Sequence, residues 1–315
     1  MDDVKIRVAA GRGGDGSMSF YRARRLPRGG PDGGDGGRGG NVRMKVSRDV
    51  GDLSHLVPGG IYQAPQGAHG KGQKMAGRDA RDLVIDLPVG TIVEDAGQGM
   101  RLADLCEAGQ ALDVARGGRG GRGNSHFATS THQSPREYEK GAPGEIRRLR
   151  LDFRMPVDIA LVGLGGSGKS ALLNRLAGTR VPEGAYPCST AEPVCGVWDA
   201  GLRESWRVAE IPSLMPGRHG PGGPGTHFLK HLTRARAVWF VLDGSADGAA
   251  GVFRRLREWV SPFLDTDPPK RIAVVLTRTD LRSPEDEGET LRVPAIPVSL
   301  REGRGLDALR TVAPG

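Results

Sequence analysis

Eight residues, Gly163-Leu-Gly-Gly-Ser-Gly-Lys-Ser170, fit the pattern G-x-x-x-x-G-K-[ST]. Glycines at these positions let successive backbone N–H groups converge on one anion, and the helix that follows adds its positive end. Lys169 is long enough to reach β- and γ-phosphates, and the Ser170 hydroxyl suits Mg²⁺. The chemistry is that of a phosphate cradle: Gly163, Leu164, Gly165, Gly166, Ser167, Gly168, Lys169 and Ser170 are the candidate nucleotide-binding residues, and Lys169 is a candidate catalytic group. A glycine turn that only joins strand to helix is the alternative. The complete pattern and its flanks favour the phosphate reading.

Those flanks are the elements that must hold the loop. Asp158–Gly163 is an apolar run of strand length, Ala171-Leu-Leu-Asn-Arg-Leu-Ala reads as a helix, and Gly178 offers a left-handed stop. Further strands are predicted at 205–211, 237–243, 271–276 and 295–299. Helices are predicted at 170–176, 226–235 and 252–264, and another begins at Gly305-Leu-Asp-Ala-Leu-Arg310. Alternation of this kind implies an α/β domain with a mostly parallel sheet and a ligand at the carboxyl ends of its strands.

The first half has another character. Of the 50 glycines in 315 residues, 12 fall within residues 11–40, and a further run is Gly117-Gly-Arg-Gly-Gly-Arg-Gly123. Glycine at nearly every third position suits extended left-handed chains packed side by side; a disordered RGG-like tract is the competing reading. Short strands are predicted at Val42–Val46 and Asp82–Leu87. The boundary falls near Met155-Pro156, giving domains 1–156 and 157–315. Residues 1–156 carry 25 Lys+Arg against 19 Asp+Glu, a positive excess that suggests a phosphate-rich partner. Three cysteines, Cys106, Cys188 and Cys195, form no metal spacing and fit a reducing compartment. No apolar run has spanning length and no secretory segment is predicted, so the cytoplasm is the default compartment.

Taken together, Gly29–Gly40 followed by Asn41-Val42, Leu87-Pro-Val-Gly-Thr-Ile-Val-Glu-Asp95 and Gly120-Gly-Arg-Gly-Asn-Ser-His-Phe-Ala-Thr-Ser-Thr131 resemble the Obg family of ribosome-associated GTPases. The resemblance covers nearly the whole chain. It implies six left-handed glycine-rich helices over a small β-barrel, then a Ras-like G domain, with the tip of the first domain entering the large ribosomal subunit during maturation. Ser19-Phe-Tyr-Arg-Ala-Arg-Arg-Leu-Pro-Arg28 and His69-Gly-Lys-Gly-Gln-Lys74 are basic loops suited to RNA, which makes Arg22, Arg24, Arg25, Arg28, Lys71 and Lys74 the candidate RNA contacts. Solvated charged loops are the bland alternative.

The resemblance also carries over the remaining nucleotide motifs, several of them altered. Gly166 stands where the family has an asparagine implicated in potassium binding. Switch I is Tyr186-Pro-Cys-Ser-Thr190, in which Cys188, Ser189 and Thr190 would meet the nucleotide. Thr190 would close on Mg²⁺ as a catalytic residue and, with Ser170, as a metal ligand. Switch II, normally Asp-x-Pro-Gly, is Glu210-Ile-Pro-Ser213: the longer Glu210 displaces its carboxylate, and Ser213 restricts the backbone. Leu214 follows, where Ras-like enzymes place a glutamine. The guanine reader Asn-Lys-x-Asp is Thr277-Arg-Thr-Asp280; Asp280 keeps the carboxylate for guanine, Arg278 supplies the stem over the base, and Thr277 loses the amide that braces the phosphate loop. Ser299-Leu300-Arg301 replaces Ser-Ala-x, with Leu300 crowding the base.

These readings converge on a monomeric, slow, Mg²⁺-dependent GTPase that converts GTP to GDP and acts in large-subunit assembly. The alternatives are a non-hydrolysing RNA-binding assembly factor with a degenerate G domain, and a nucleotide sensor acting away from the ribosome.

Overall fold

In the computed structural model the chain divides into two compact units, Met1–Phe153 and Arg154–Gly315. The structure describes all residues except 23–28, 182–192, 202–203, 215–225, 267–268, 282–290 and 315.

The first unit contains strands β1 (Asp3–Ala9), β2 (Val42–Val46), β3 (Ile61–Gln63), β4 (Leu83–Leu87), β5 (Thr91–Asp95), β6 (Met100–Leu105), β7 (Ala111–Ala115) and β8 (Ile146–Phe153). They form a five-stranded sheet in the order β3-β1-β8-β5-β6 and a three-stranded sheet β4-β2-β7. Period-two alternation fixes which face is buried: in β1, Val4, Ile6 and Val8 are buried while Lys5 and Arg7 are exposed. β8 repeats the pattern with Leu149 and Leu151 inside and Arg148 and Arg150 outside.

The glycine runs are ordered, packed chains rather than an RGG-like tract. Amides of Gly11 and Gly14 donate to the carbonyls of Gly40 and Gly37, those of Gly36 and Gly39 to Gly121 and Gly118, and those of Gly118 and Gly121 to Gly11 and Gly14. Three chains thus close a ring of hydrogen bonds with a three-residue repeat, the period of the polyproline II helix. Close approach explains the glycines: a Cβ on Gly36 would lie 1.9 Å from the Gly14 carbonyl oxygen.

The second unit is built on a six-stranded sheet, β10-β11-β9-β12-β13-β14. Its strands are β9 (Ile159–Val162), β10 (Val194–Gly201), β11 (Glu204–Glu210), β12 (Ala237–Asp243), β13 (Arg271–Thr277) and β14 (Ala295–Pro297). All neighbours pair in parallel except β10 with β11, so the sheet is mostly parallel with one antiparallel edge. β10 is an addition to the sequence reading. Helix α1 (Lys169–Ala177) covers one face and α2 (Ala249–Leu264) packs on the other, each over its own buried cluster. The segment 226–235, predicted as a helix, is instead a 3₁₀ helix at Thr226–Arg234, and so is Asp307–Val312 in the last predicted helix. On the α1 face Trp198 packs on Trp206 and Trp239 with ring centroids 5.0 and 5.9 Å apart.

Candidate nucleotide site and basic tip

The parallel topology brings five separate segments to one edge, because Gly163, Glu210, Asp243, Thr277 and Ser299 each close or follow the carboxyl end of a strand. That edge is where open α/β sheets hold their ligands. The loop from Gly163 turns through left-handed glycines at Gly166 (φ 78°) and Gly168 (φ 90°), and Gly168 caps α1 with no side-chain bond. First-turn N–H groups of α1 are therefore left for an anion rather than for a capping side chain. Gly178, at φ 63°, ends the helix as its position in the sequence predicts.

Lys169 is buried, and its Nζ donates to Gly163 O (3.1 Å), Leu164 O (2.9 Å) and Ser213 Oγ (3.0 Å). The ammonium is thus held at the loop where phosphate oxygens would replace these acceptors. Ser213 holds it from the switch II side. Ser170 Oγ donates to Glu210 Oε1 at 2.9 Å, and Glu210 is buried. The longer glutamate therefore reaches the serine that a shorter aspartate would face across a metal. A buried carboxylate beside a hydroxyl, at the mouth of an uncapped helix, is an all-oxygen donor set that fits Mg²⁺. Ser170 would hold the ion with Glu210 behind it, and Mg²⁺ bound there supplies charge neutralisation for the phosphates.

The segments expected to read the base carry one tie that the sequence expectation lacked. Thr277 does brace the phosphate loop: its buried Oγ1 lies 2.9 Å from Ser167 O and 3.0 Å from Leu242 O, donating its one proton between them. A Cβ on Gly168 would meet the Thr277 side chain at 3.3 Å, so loop and strand end are in direct register. Leu300 packs against the core cluster that contains Leu172, Trp239 and Leu309. Asp280 Oδ1 accepts from Ser299 Oγ at 3.1 Å, joining the two motifs. Arg278 takes a left-handed backbone (φ 56°) and its guanidinium pairs with Asp243. Burial works against ionisation of Asp243, yet the Ser245 hydroxyl and amide and the Arg278 charge hold its pKa below the ordinary value. Arg301 is exposed on the following turn. A cavity of about 350 Å³ borders the loop at Gly165, Gly166 and Ser167 and reaches Asp243, Val252 and Arg278. Cys188, Ser189 and Thr190 lie outside the described residues.

Removing the Thr277 brace is predicted to loosen the loop without unfolding the unit. Thr277→Val removes the hydroxyl shared by the Ser167 and Leu242 carbonyls and is expected to weaken GTP and GDP binding about 5–10-fold, at roughly 1–1.5 kcal/mol. Calorimetric titration checks this, and Thr277→Ser should restore most of the affinity.

In the first unit three loops are tied together at one end. Phe20 bridges Pro31, and the Tyr21 amide donates to Gly30 O at 3.0 Å, closing the first loop. The second loop is pinned through Asp32, whose Oδ2 accepts from the Gln73 amide (2.9 Å) and whose carbonyl accepts from the Lys74 amide (2.6 Å). Gln73 and Lys74 both sit in left-handed backbone. The third loop enters through buried Asn124, whose Oδ1 accepts from Gly33 N (2.8 Å) and whose Nδ2 donates to Ser19 O (3.0 Å) and Pro135 O (3.1 Å). Arg22, Lys71 and Lys74 are exposed here beside Tyr21 and Met75, and the third loop adds exposed His126 and His132. Arg24, Arg25 and Arg28 fall outside the described residues. The sequence reading missed the third loop as part of this surface; its Ser-His-Phe cluster was the available signal.

Comparison with known proteins agrees with both units. The GTP1/OBG family matches residues 1–155, and the 50S ribosome-binding GTPase family matches residues 158–278. A GTPase Obg of Solibacter usitatus is 39% identical over 320 residues, covering 98% of this chain and 95% of the relative. One from Rubrobacter xylanophilus is 43% identical over 98% of this chain and 75% of its own length. Among solved structures, Era in complex with MgGDPNP and nucleotides 1506–1542 of 16S ribosomal RNA matches 50% of this chain and 57% of its own, at 21% identity and a TM-score of 0.40. Among the described residues no helix is long and apolar enough to cross a membrane. With relatives matched over 98% of its length and a P-loop at the carboxyl edge of a mostly parallel sheet, the chain belongs to the GTP1/OBG family and is an Obg-type GTPase that uses GTP, GDP and Mg²⁺.

Proposed function

We propose that this GTPase acts in maturation of the large ribosomal subunit, with residues 1–156 facing rRNA and residues 157–315 forming the nucleotide-operated domain. The observation that carries the reading is the three-loop tip, where Asp32 and Asn124 hold exposed Arg22, Lys71, Lys74 and Tyr21 on one end of a stiff glycine-packed unit. Cationic side chains next to exposed aromatic and apolar ones suit phosphates and unstacked bases of folded RNA. Lys169 and Thr190 are assigned as the catalytic groups, Ser170 and Thr190 as the metal ligands, and Asp280 as the residue that selects guanine. Turnover is slow in this reading, because Leu214 is buried in the core and cannot orient a water. With Gly166 at the asparagine position, exchange of sodium for potassium leaves turnover unchanged.

Co-sedimentation with purified large subunits across a salt series tests the assignment. Combined Arg22→Gln, Lys71→Gln and Lys74→Gln should weaken binding and reduce the slope of log affinity against log salt by about 2–3. An unchanged slope would remove the tip from the interface.

A further inference from the structure

The outer face of the five-stranded sheet carries cations placed directly against one another. In the antiparallel pairing of β1 with β8, Lys5 opposes Arg150 and Arg7 opposes Arg148, and all four are exposed. Residues paired this way share a face with their Cβ atoms only a few ångströms apart, and like charges so placed destabilise a sheet. The first pair is relieved: Arg150 binds Asp3 (Nε to Oδ2, 3.0 Å) and lies 3.7 Å from Glu94 on β5, the next strand of the sheet. The second pair has no such relief. Among the described residues neither Arg7 nor Arg148 has a carboxylate partner, nor does Lys5. Across β3, the residue beside Arg7 is Ile61, which is 64% exposed and adds no negative charge.

A sheet can satisfy such positions with an acid on any neighbouring strand, as it does for Arg150. It does not do so for Arg7 and Arg148, so the anion that matches them is external. We propose that Lys5, Arg7 and Arg148 form a second RNA-binding surface that grips the phosphate backbone, separate from the tip loops. The proposal rests on the rRNA-facing role of this unit. Charge complementarity identifies the occupant: Arg forks match phosphate oxygens in pairs. Lys5 and Arg7 stand roughly 7 Å apart along one strand, two residues on the same face, while Arg148 faces Arg7 from the next. A flat row of cations on pleated backbone reads no base edge, so the contact is predicted to be independent of sequence. It anchors the unit while the tip supplies the specific engagement.

The test uses the full chain loaded with a non-hydrolysable GTP analogue, on purified large subunits and on protein-free rRNA, over a salt series. Arg7→Gln with Arg148→Gln should lower the salt slope by about 1.4–1.8 on both targets. The same substitutions should raise the thermal midpoint by about 1–3 °C, because they remove the cross-strand repulsion. A merely structural pair would give a lower midpoint instead. The tip variant Lys71→Gln with Lys74→Gln serves as the reference. Should that variant lose binding while Arg7→Gln with Arg148→Gln leaves the slope unchanged, the second surface is refuted and the rRNA role stands. Loss on subunits but not on free rRNA would assign the face to an acidic protein and refute the RNA proposal. If the unaltered chain binds neither target, the rRNA role and this inference fall together.

Discussion

Lys169→Ala is expected to lower kcat/KM for GTP about 1000-fold while leaving the protein folded. The lysine is buried at the base of the phosphate loop, and its acceptors include two loop carbonyls and the Ser213 hydroxyl. Arg278, the cation lining the cavity beside the loop, is paired with Asp243. In the proposed role, removing the ammonium would take away the positive charge expected to face the β- and γ-phosphates as negative charge moves between them. Folding should survive, because α1 is anchored by Leu172 and Leu173, both fully buried on the sheet. Single-turnover phosphate release measures the first effect, and tryptophan fluorescence during thermal melting checks the second. Retention of more than a tenth of the wild-type rate would mean that another group carries the phosphate charge.

The second large effect concerns the glycine array. Gly36→Ala is predicted to destabilise the first unit by about 4 kcal/mol or more, since its Cβ would overlap the Gly14 carbonyl and neither backbone can retreat. Moving that chain would break bonds in the whole ring, because Gly36 donates to Gly121 and Gly121 donates to Gly14. Gly30→Ala is the control: its Cβ would meet nothing within 4 Å, and the change should stay within about 0.5 kcal/mol. All four tryptophans lie at positions 198, 206, 239 and 259, so their fluorescence reports only the second unit. Gly36→Ala should therefore expose residues 1–153 to protease while the tryptophan transition stays in place. Protection equal to wild type would show that the array tolerates side chains.

What the sequence revealed follows from how local each constraint is. The phosphate loop was legible because its chemistry demands glycines at fixed offsets, and the structure puts left-handed turns at Gly166 and Gly168. Strands β9, β12 and β13 were legible as apolar runs, since a strand buried on both faces has no polar side. β10 was missed because its alternation Val-Cys-Gly-Val-Trp-Asp belongs to an edge strand with one exposed face. Segment 226–234 carries Phe228, Leu229 and Leu232; the i,i+4 pair reads as α-helix, while the i,i+3 pair of leucines suits the 3₁₀ turns that form. The Thr277 brace could not be read at all, because Thr277 and Ser167 are 110 residues apart and meet only through the sheet. The same holds for Asn124, which ties the third loop to Gly33 and Ser19.

In the proposed function the bound nucleotide decides how firmly the basic tip holds the large subunit. The most direct measurement is the dissociation constant of the full chain for purified large subunits, taken at one salt concentration with a non-hydrolysable GTP analogue and again with GDP. Binding is expected to be tighter in the triphosphate state by at least about 10-fold, a coupling of roughly 1.4 kcal/mol. Equal affinity in the two states would contradict it.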